Sequence, residues 1–440
     1  KTVDGTLSSS GGVKIIDGTL RIGSGGQDGV MTSNADVSSG ARLEFNHSNI
    51  ETYNGVLSGS GMFKVDSPGG LILAGDSSGF VGSTQVNGTL SVFGQLGGSV
   101  SVNSGGDLGG TGNFGGDVTV ESGATLIGLS TGGLTFDQSL SLKAGSIIDL
   151  HLGVAGSSNA LFNVGGNLTF ENGTVINISD AGGFGVGVNR VFKYGTLSGM
   201  PGTNWGILPS GVQENHLSWV DSNNYLSIQN TAGVALDYWD GAGTQNGVID
   251  GGSGIWSAAS TNQNWTDTTG VLHDNWTNDR FAIFSGTGGT VTVSNADGAL
   301  QVGGMQFAVD GYKMAGDNLA LTSTGDKAII RVGDSTQAGA NMTATIDNIL
   351  TGDKGLEKAD LGTLVLTADN TYTGGTTISG GVLQLGDGGG TGSVQGEIVV
   401  GVDDLQLTKL VVKKDDNAII SNKISGTGQV DFVSDQDRRS

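Results

Sequence analysis

From Leu90 onward the chain sets apolar residues in pairs one position apart: Leu90/Val92, Val100/Val102, Val118/Val120, Leu134/Phe136, Leu140/Leu142 and Ile148/Leu150, with Leu108 and Leu126 alone between them. Alternation at period two marks a strand with one buried face. The pairs begin about every eight residues and the gaps are filled with Gly, Asn, Asp and Ser, so the pattern predicts short strands joined by tight corners. Three such strands would close a coil of roughly 25 residues, which can bury its inward side chains only against the coils above and below. At about 4.8 Å between strands, the chain length predicts roughly 18 coils and a rod on the order of 85 Å long. The dipeptides Asn54-Gly55, Asn87-Gly88, Asn172-Gly173 and Asn246-Gly247 leave open a rival, antiparallel hairpins in a sandwich or propeller. The stacked coil accounts for more of the pattern.

The chain also repeats itself. Residues 55–73, GVLSGSGMFKVDSPGGLIL, align without a gap with residues 348–366, NILTGDKGLEKADLGTLVL, pairing Leu57 with Leu350, Gly59 with Gly352, Phe63 with Leu356, Gly69 with Gly362, Leu71 with Leu364 and Leu73 with Leu366. GGTGNFGGDVTV from Gly109 matches GGTGSVQGEIVV from Gly389, and ISGTGQVDF from Ile424 reopens the first pattern. Two related modules and a truncated third are expected. Their boundaries are placed at 1–232 for a first module, 233–346 for a tryptophan-containing segment that continues the helix, and 347–440 for the second repeat and the start of another.

Composition narrows the class further. The 440 residues include 82 Gly, 3 Pro and no Cys, and only 14% are charged, against a usual ~25%. Long exposed helices lack both formers and charges, which excludes an all-helical protein. Gly, Pro and Ser together approach the level of low-complexity disorder, but Leu, Ile, Val and Phe at about 26% supply enough apolar area to offset ordering entropy. No apolar run approaches the ~18 residues of a membrane span, and Lys1 is not followed by a charged-then-apolar leader, so a processed or excised soluble piece is expected. The formal net charge of −22, scattered along the chain, repels nucleic acid and anionic lipid. The absence of cysteine fits passage through an oxidising compartment, and equally fits many cytosolic proteins.

Residues 350–386, LTGDKGLEKADLGTLVLTADNTYTGGTTISGGVLQLG, resemble the autotransporter-associated β-strand repeat of the passenger domains of Gram-negative type V autotransporters. Weaker copies occupy 55–94 and 105–126, and residues 238–312, with YWDG, GGSGIW, RFAIFSG and MQFAVDGY, resemble the segment that precedes this repeat in large passengers. The resemblance covers roughly half the chain. It implies an all-β fold, a right-handed parallel β-helix with three faces and a short hairpin or loop excursion around 238–280. It also implies export through the outer membrane by a C-terminal β-barrel that these residues do not contain, and display on the cell surface as an adhesin or self-associating factor.

The candidate catalytic motifs each fail a requirement. Gly75-Asp76-Ser77-Ser78-Gly79 approaches the GDSG of a chymotrypsin-like nucleophile, but Ser78 stands where glycine is required, and the repeat places Asp76 over Asp369, in a coil corner. Gly110, Gly112 and Gly115 satisfy GxGxxG without the helix that a pyrophosphate site requires. Asp403/Asp404 and Asp415/Asp416 are sequence neighbours and point to opposite faces of a strand, while Asp237 and Asp240 flank Trp239 and read as turn formers. None has the surroundings of a sugar-cleaving acid pair. GDGGG at 386–390 has the composition of a calcium loop but not its spacing, and His47, His151, His216 and His273 lie in no motif. Trp239, Trp256, Trp265 and Trp276 offer either a glycan platform or the packing of an excursion onto the rod, and the second reading is preferred.

The expectation is therefore a non-enzymatic adhesive passenger with no cofactor, metal or catalytic residue and no binding residue that can be named. Its outward Ser, Thr and Asn would form ladders that bind a like surface, or host glycans, matrix or proteins. A glycan- or matrix-binding module centred on the tryptophan segment is the alternative, and a polysaccharide-cleaving β-helix the third choice. Neither nucleic acid nor membrane insertion is expected.

Overall fold

The computed structural model describes residues 1–129, 132–152, 160–180, 184–241, 245–401, 407–415 and 420–433. Asp403, Asp404 and Asp416 lie outside these residues. Among them the regular structure is β throughout, apart from two short 3₁₀ turns, Glu214–His216 and Gln337–Asn341. The strands are short and almost all parallel, as a parallel β-helix requires. The antiparallel sandwich and propeller are thereby ruled out.

A coil in the first solenoid runs through Met62–Val65, Leu71–Leu73 and Asp76–Ser77 before the chain regains the first face at Ser83–Val86. Coil length is uneven: Ser83 stacks on Ser99, only 16 residues later, whereas Leu140 stacks on Leu168, 28 residues later. Ten strands follow one another on this first face, from Thr2–Val3 to the C-terminal half of Gly187–Ser198. Inward positions form continuous columns, one of them Phe45, Val65, Val86, Val102, Val120, Leu142 and Phe170, all buried. Each such side chain contributes about 1.5–3 kcal/mol by leaving water, and only because its neighbours in the stack do the same.

The second solenoid stacks eight parallel strands on one face, from Leu236–Trp239 to Ile424–Gly426, and eight on another, from Gly254–Ser257 to Gln429–Val433. Its core column Ala282, Met305, Ile330, Lys358, Ile378, Val400 contains one lysine. The matched glycines of the repeat explain part of its sequence. Gly59, Gly352 and Gly426 have φ of 93°, 115° and 111°, and a Cβ on each would lie 2.2, 2.6 and 2.1 Å from a carbonyl oxygen of the preceding coil. Only glycine adopts that backbone while letting the coils approach so closely.

Among the described residues, an antiparallel segment lies between the two parallel stacks. Gly187–Ser198 is long, and its first half leaves the parallel sheet to pair antiparallel with Tyr225–Asn230, which in turn pairs antiparallel with Leu217–Ser222. Asn223 and Asn224, with φ of 54° and 61°, close this last hairpin, since positive φ at both central positions is what a type I′ turn needs. The result is a two-sided antiparallel wall. Leu217, Leu226 and Ile228 belong to the first solenoid's core, and Tyr225, Ser227 and Gln229 alternate with them to face the second. An excursion opens the second solenoid as expected: Trp265–Thr266 pairs antiparallel with both Leu236–Trp239 and His273–Asp274.

Candidate interaction surfaces

The first solenoid's first face carries an outward column in register: Arg21, Glu44, Lys64, Gln85, Ser101, Thr119, Ser141, Thr169 and Ser198. Strand alternation forces this, because the residues between them fill the core. The charged end neutralises itself: Arg21 pairs with Glu44 at 2.7 Å and Lys64 with Asp66 at 2.5 Å. From Ser101 on, the column is hydroxyl only. Beside it a second ladder climbs the corner. Asn87 donates to Asp66 at 2.6 Å and Asn103 donates to Asn87 at 2.7 Å, each one coil on. Lys64 and Asn87 together hold the Asp66 carboxyl below the usual range, against its partial burial.

The second solenoid presents a different outward column, Ile283, Gln306 and Arg331, and the wall covers it. Val188 donates its amide to Gln306 Oε1 at 2.7 Å and accepts from Gln306 Nε2 at 2.8 Å. Arg331 donates to Val186 O at 2.6 Å, Ser335 Oγ at 2.6 Å, Asp360 Oδ2 at 2.9 Å and Asn189 Oδ1 at 3.2 Å. Arg190 closes the set on Asp334 at 2.8 Å. This buried polar seam joins residues more than 100 positions apart.

The four clustered tryptophans are packing residues. Trp239, Trp256, Trp265 and Trp276 are at most 3% exposed. Ring centroids lie 4.5 Å apart for Trp265 and Trp276, 4.8 Å for Trp256 and Trp276 and 4.9 Å for Trp256 and Trp265, and Phe284 continues the cluster into the core. Their faces are filled by one another, so a glycan platform on these rings is ruled out.

The remaining motifs are structural where the structure describes them. Ser77 is buried and its Oγ accepts the amide of Leu57 at 2.9 Å, while Asp76 accepts the amide of Ser78. Gly110 and Gly112 sit where one coil meets the next: a Cβ on Gly112 would lie 2.3 Å from Gly94 O. Asp237 is tied to Arg280 at 2.7 Å, with burial pushing its carboxyl up against the pull of the guanidinium. Asp240 lies 3.5 Å from Nε2 of His273, also raised by burial. His47 bonds Gly29 O, His151 lies 3.7 Å from Asp149, and the peptide oxygen of His216 accepts the amide of Thr231. The amide of Asp415 donates to Gly389 O. Among the described residues no three His, Cys, Asp or Glu side chains gather as metal ligands, around Asp387 or elsewhere.

Residues 356–385 match the family model of the passenger-associated-transport-repeat. Over 425 residues, 92% of this chain, the sequence is 40% identical to the adhesin BmaC autotransporter of Brucella suis biovar 1. The chain spans 12% of that adhesin's length. No solved structure matches.

Proposed function

Since this chain belongs to the passenger domains of autotransporters and is displayed beyond the Gram-negative outer membrane, we propose that it is an adhesive, non-enzymatic segment that joins like passengers through its hydroxyl column. The observation that carries this reading is the in-register run Ser101, Thr119, Ser141, Thr169 and Ser198. Its members are spaced by about 4.8 Å, the strand separation, so a second copy presents donors and acceptors at the same interval. Each bond contributes only about 1 kcal/mol net, and the strength comes from number. The run itself carries no charge, and beside it Lys143 and Glu171 neutralise each other at 2.8 Å.

Attachment to a host surface or matrix is the second reading, favoured by the adhesin that this chain resembles. Cells displaying the passenger with Thr119→Val, Ser141→Ala and Thr169→Val test both. These changes remove hydroxyls and keep strand-compatible side chains. The expected result is loss of cell clumping with the far-UV spectrum of the purified chain unchanged. Clumping that persists undiminished sinks the first reading, and attachment to immobilised matrix lost without any change in clumping replaces it with the second.

A further inference from the structure

We propose that the cleft between the antiparallel wall and the second solenoid is a binding site for a neutral saccharide. It is separate from the hydroxyl column, and neither reading depends on the other. The cleft has a volume of about 370 Å³, within the usual range for small-ligand sites, and lies at the junction of two packed units, where such sites tend to form.

Its lining is what a sugar needs. Ser227 and Tyr225 come from the wall, and Asp250, Ser285 and Thr287 from the second solenoid. Hydroxyls that both donate and accept thus come from both sides of the cleft, beside the carboxylate of Asp250, whose Oδ2 already accepts from Asn246 at 2.7 Å. Ser227 is the telling residue: it is 4% exposed, lines the cleft, and its hydroxyl makes no hydrogen bond among the described residues. That oxygen opens onto the cleft and is not sealed in the core, so a ligand hydroxyl can take the place of the water it would otherwise meet. Between these groups lie the apolar side chains of Val188, Val220, Ile249 and Val309 and the Tyr225 ring, which suit the C–H surfaces of a pyranose.

Charge selects against anions. The one cation of the lining, Arg190, is 2.8 Å from the buried Asp334 and stacks 4.1 Å from the centre of the Tyr225 ring, so its charge is already met. Asp250 would repel a carboxylate or sulfate, and so would the chain as a whole.

The test is saturation-transfer NMR on the whole chain with neutral oligosaccharides (lactose, cellobiose, chitobiose, maltotriose), with sialyllactose, a heparin disaccharide and a hydroxyl-rich hexapeptide as contrasting arms. At least one neutral sugar should bind, and its affinity should fall at least tenfold in Ser227→Val and in Thr287→Trp. Thr287 is exposed, so its replacement fills the cleft mouth without entering the core. Circular dichroism and the melting temperature confirm that each variant folds. The proposal is overturned if no neutral sugar binds, if only an anionic sugar or the peptide binds, or if binding survives Thr287→Trp. The variant lacking the column hydroxyls should bind sugar normally, which keeps the two readings apart.

Discussion

Ser77 and Asn370, 293 positions apart, hold the same backbone amide in two copies of one coil. Ser77 Oγ accepts from Leu57 and Asn370 Oδ1 accepts from Leu350, both at 2.9 Å, and Leu57 and Leu350 are themselves the aligned pair. The hydrogen bond is repeated although the side chain is not. Asn370 adds donor bonds to Ala368 O and Ser393 O, tying three coils at one corner. A buried amide left without its acceptor costs about 1–3 kcal/mol. Asn370→Ala should therefore lower the stability of the second solenoid by about that much in urea unfolding, Asn370→Ser should recover part of it, and Ser77→Ala should do the same to the first.

Lys358 makes the stability of the second solenoid depend on pH. Its side chain occupies an inward position between Ile330 and Ile378 and its Nζ donates to Ala359 O, Asp360 O and Gly380 O. Burial, joined by repulsion from Arg331 and opposed by Asp360, pushes the amine from 10.5 down to about 7. Between those values the unfolded chain binds the extra proton, so stability rises as pH is raised from about 7 towards 10.5 and is lost again as pH falls back through 7. The slope is at most about 1.4 kcal/mol per pH unit. The aligned position in the first copy is Val65, so Lys358→Met should fold, gain stability at neutral pH and lose this slope. Urea midpoints of both chains between pH 6 and 9.5 read the difference directly.

The tryptophan cluster closes the open end of the second solenoid, and its removal should be costly. Trp256 touches Trp265, Trp276 and Phe284. Trp256→Ala should destabilise by about 3–5 kcal/mol, the usual cost of emptying a large aromatic site. In the intact chain acrylamide should quench little of the emission, because five of the six tryptophans are at most 7% exposed and Trp219 is half-buried. Strong quenching of most of the emission would show that the rings are open to solvent.

Much of this architecture is legible in the order of residues. The period-two pairs, the corner glycines and the aligned copies lead to parallel coils, because each column demands the same residue class every turn. What is not legible is the wall. VNRVFKY and LSWVDSNNYLSIQN alternate like any coil strand, and period two does not distinguish a parallel neighbour from an antiparallel one. The signal lay in Asn223-Asn224, a type I′ pair, whereas the Asn-Gly pairs at 54, 87 and 172 turned out to sit at coil corners. Nor does any spacing join Arg331 to Asn189. That contact depends on which outward column the wall covers, and so does the cleft.

The seam between the solenoids should respond to single substitutions. Arg331 is fully buried, and its removal leaves Asp360 without its charge partner. Arg331→Ala should cost about 3–5 kcal/mol. Asn189→Ala, which deletes a shared acceptor of Arg331 and Ser335, should cost about 1–3 kcal/mol. Both should expose the wall, so limited proteolysis should cut within residues 184–241 earlier than in the unmodified chain. An unchanged cleavage pattern would mean that the wall holds without the seam.

Self-association should strengthen as salt is added, and the reason separates it from charge-driven adhesion. Two copies bring together surfaces with a formal charge of −22 each, while the bonds proposed between them join neutral hydroxyls. Screening shortens the reach of the repulsion from about 30 Å at 0.01 M salt to about 8 Å at physiological strength, and leaves hydroxyl contacts almost untouched. Clumping of displaying cells should accordingly rise between 10 mM and 150 mM sodium chloride and then level off. The variant without the column hydroxyls should stay flat across the same range, since it loses the attraction and keeps the repulsion. If clumping instead declines steadily with salt, opposite charges are making the contact, and the hydroxyl column is not the adhesive surface.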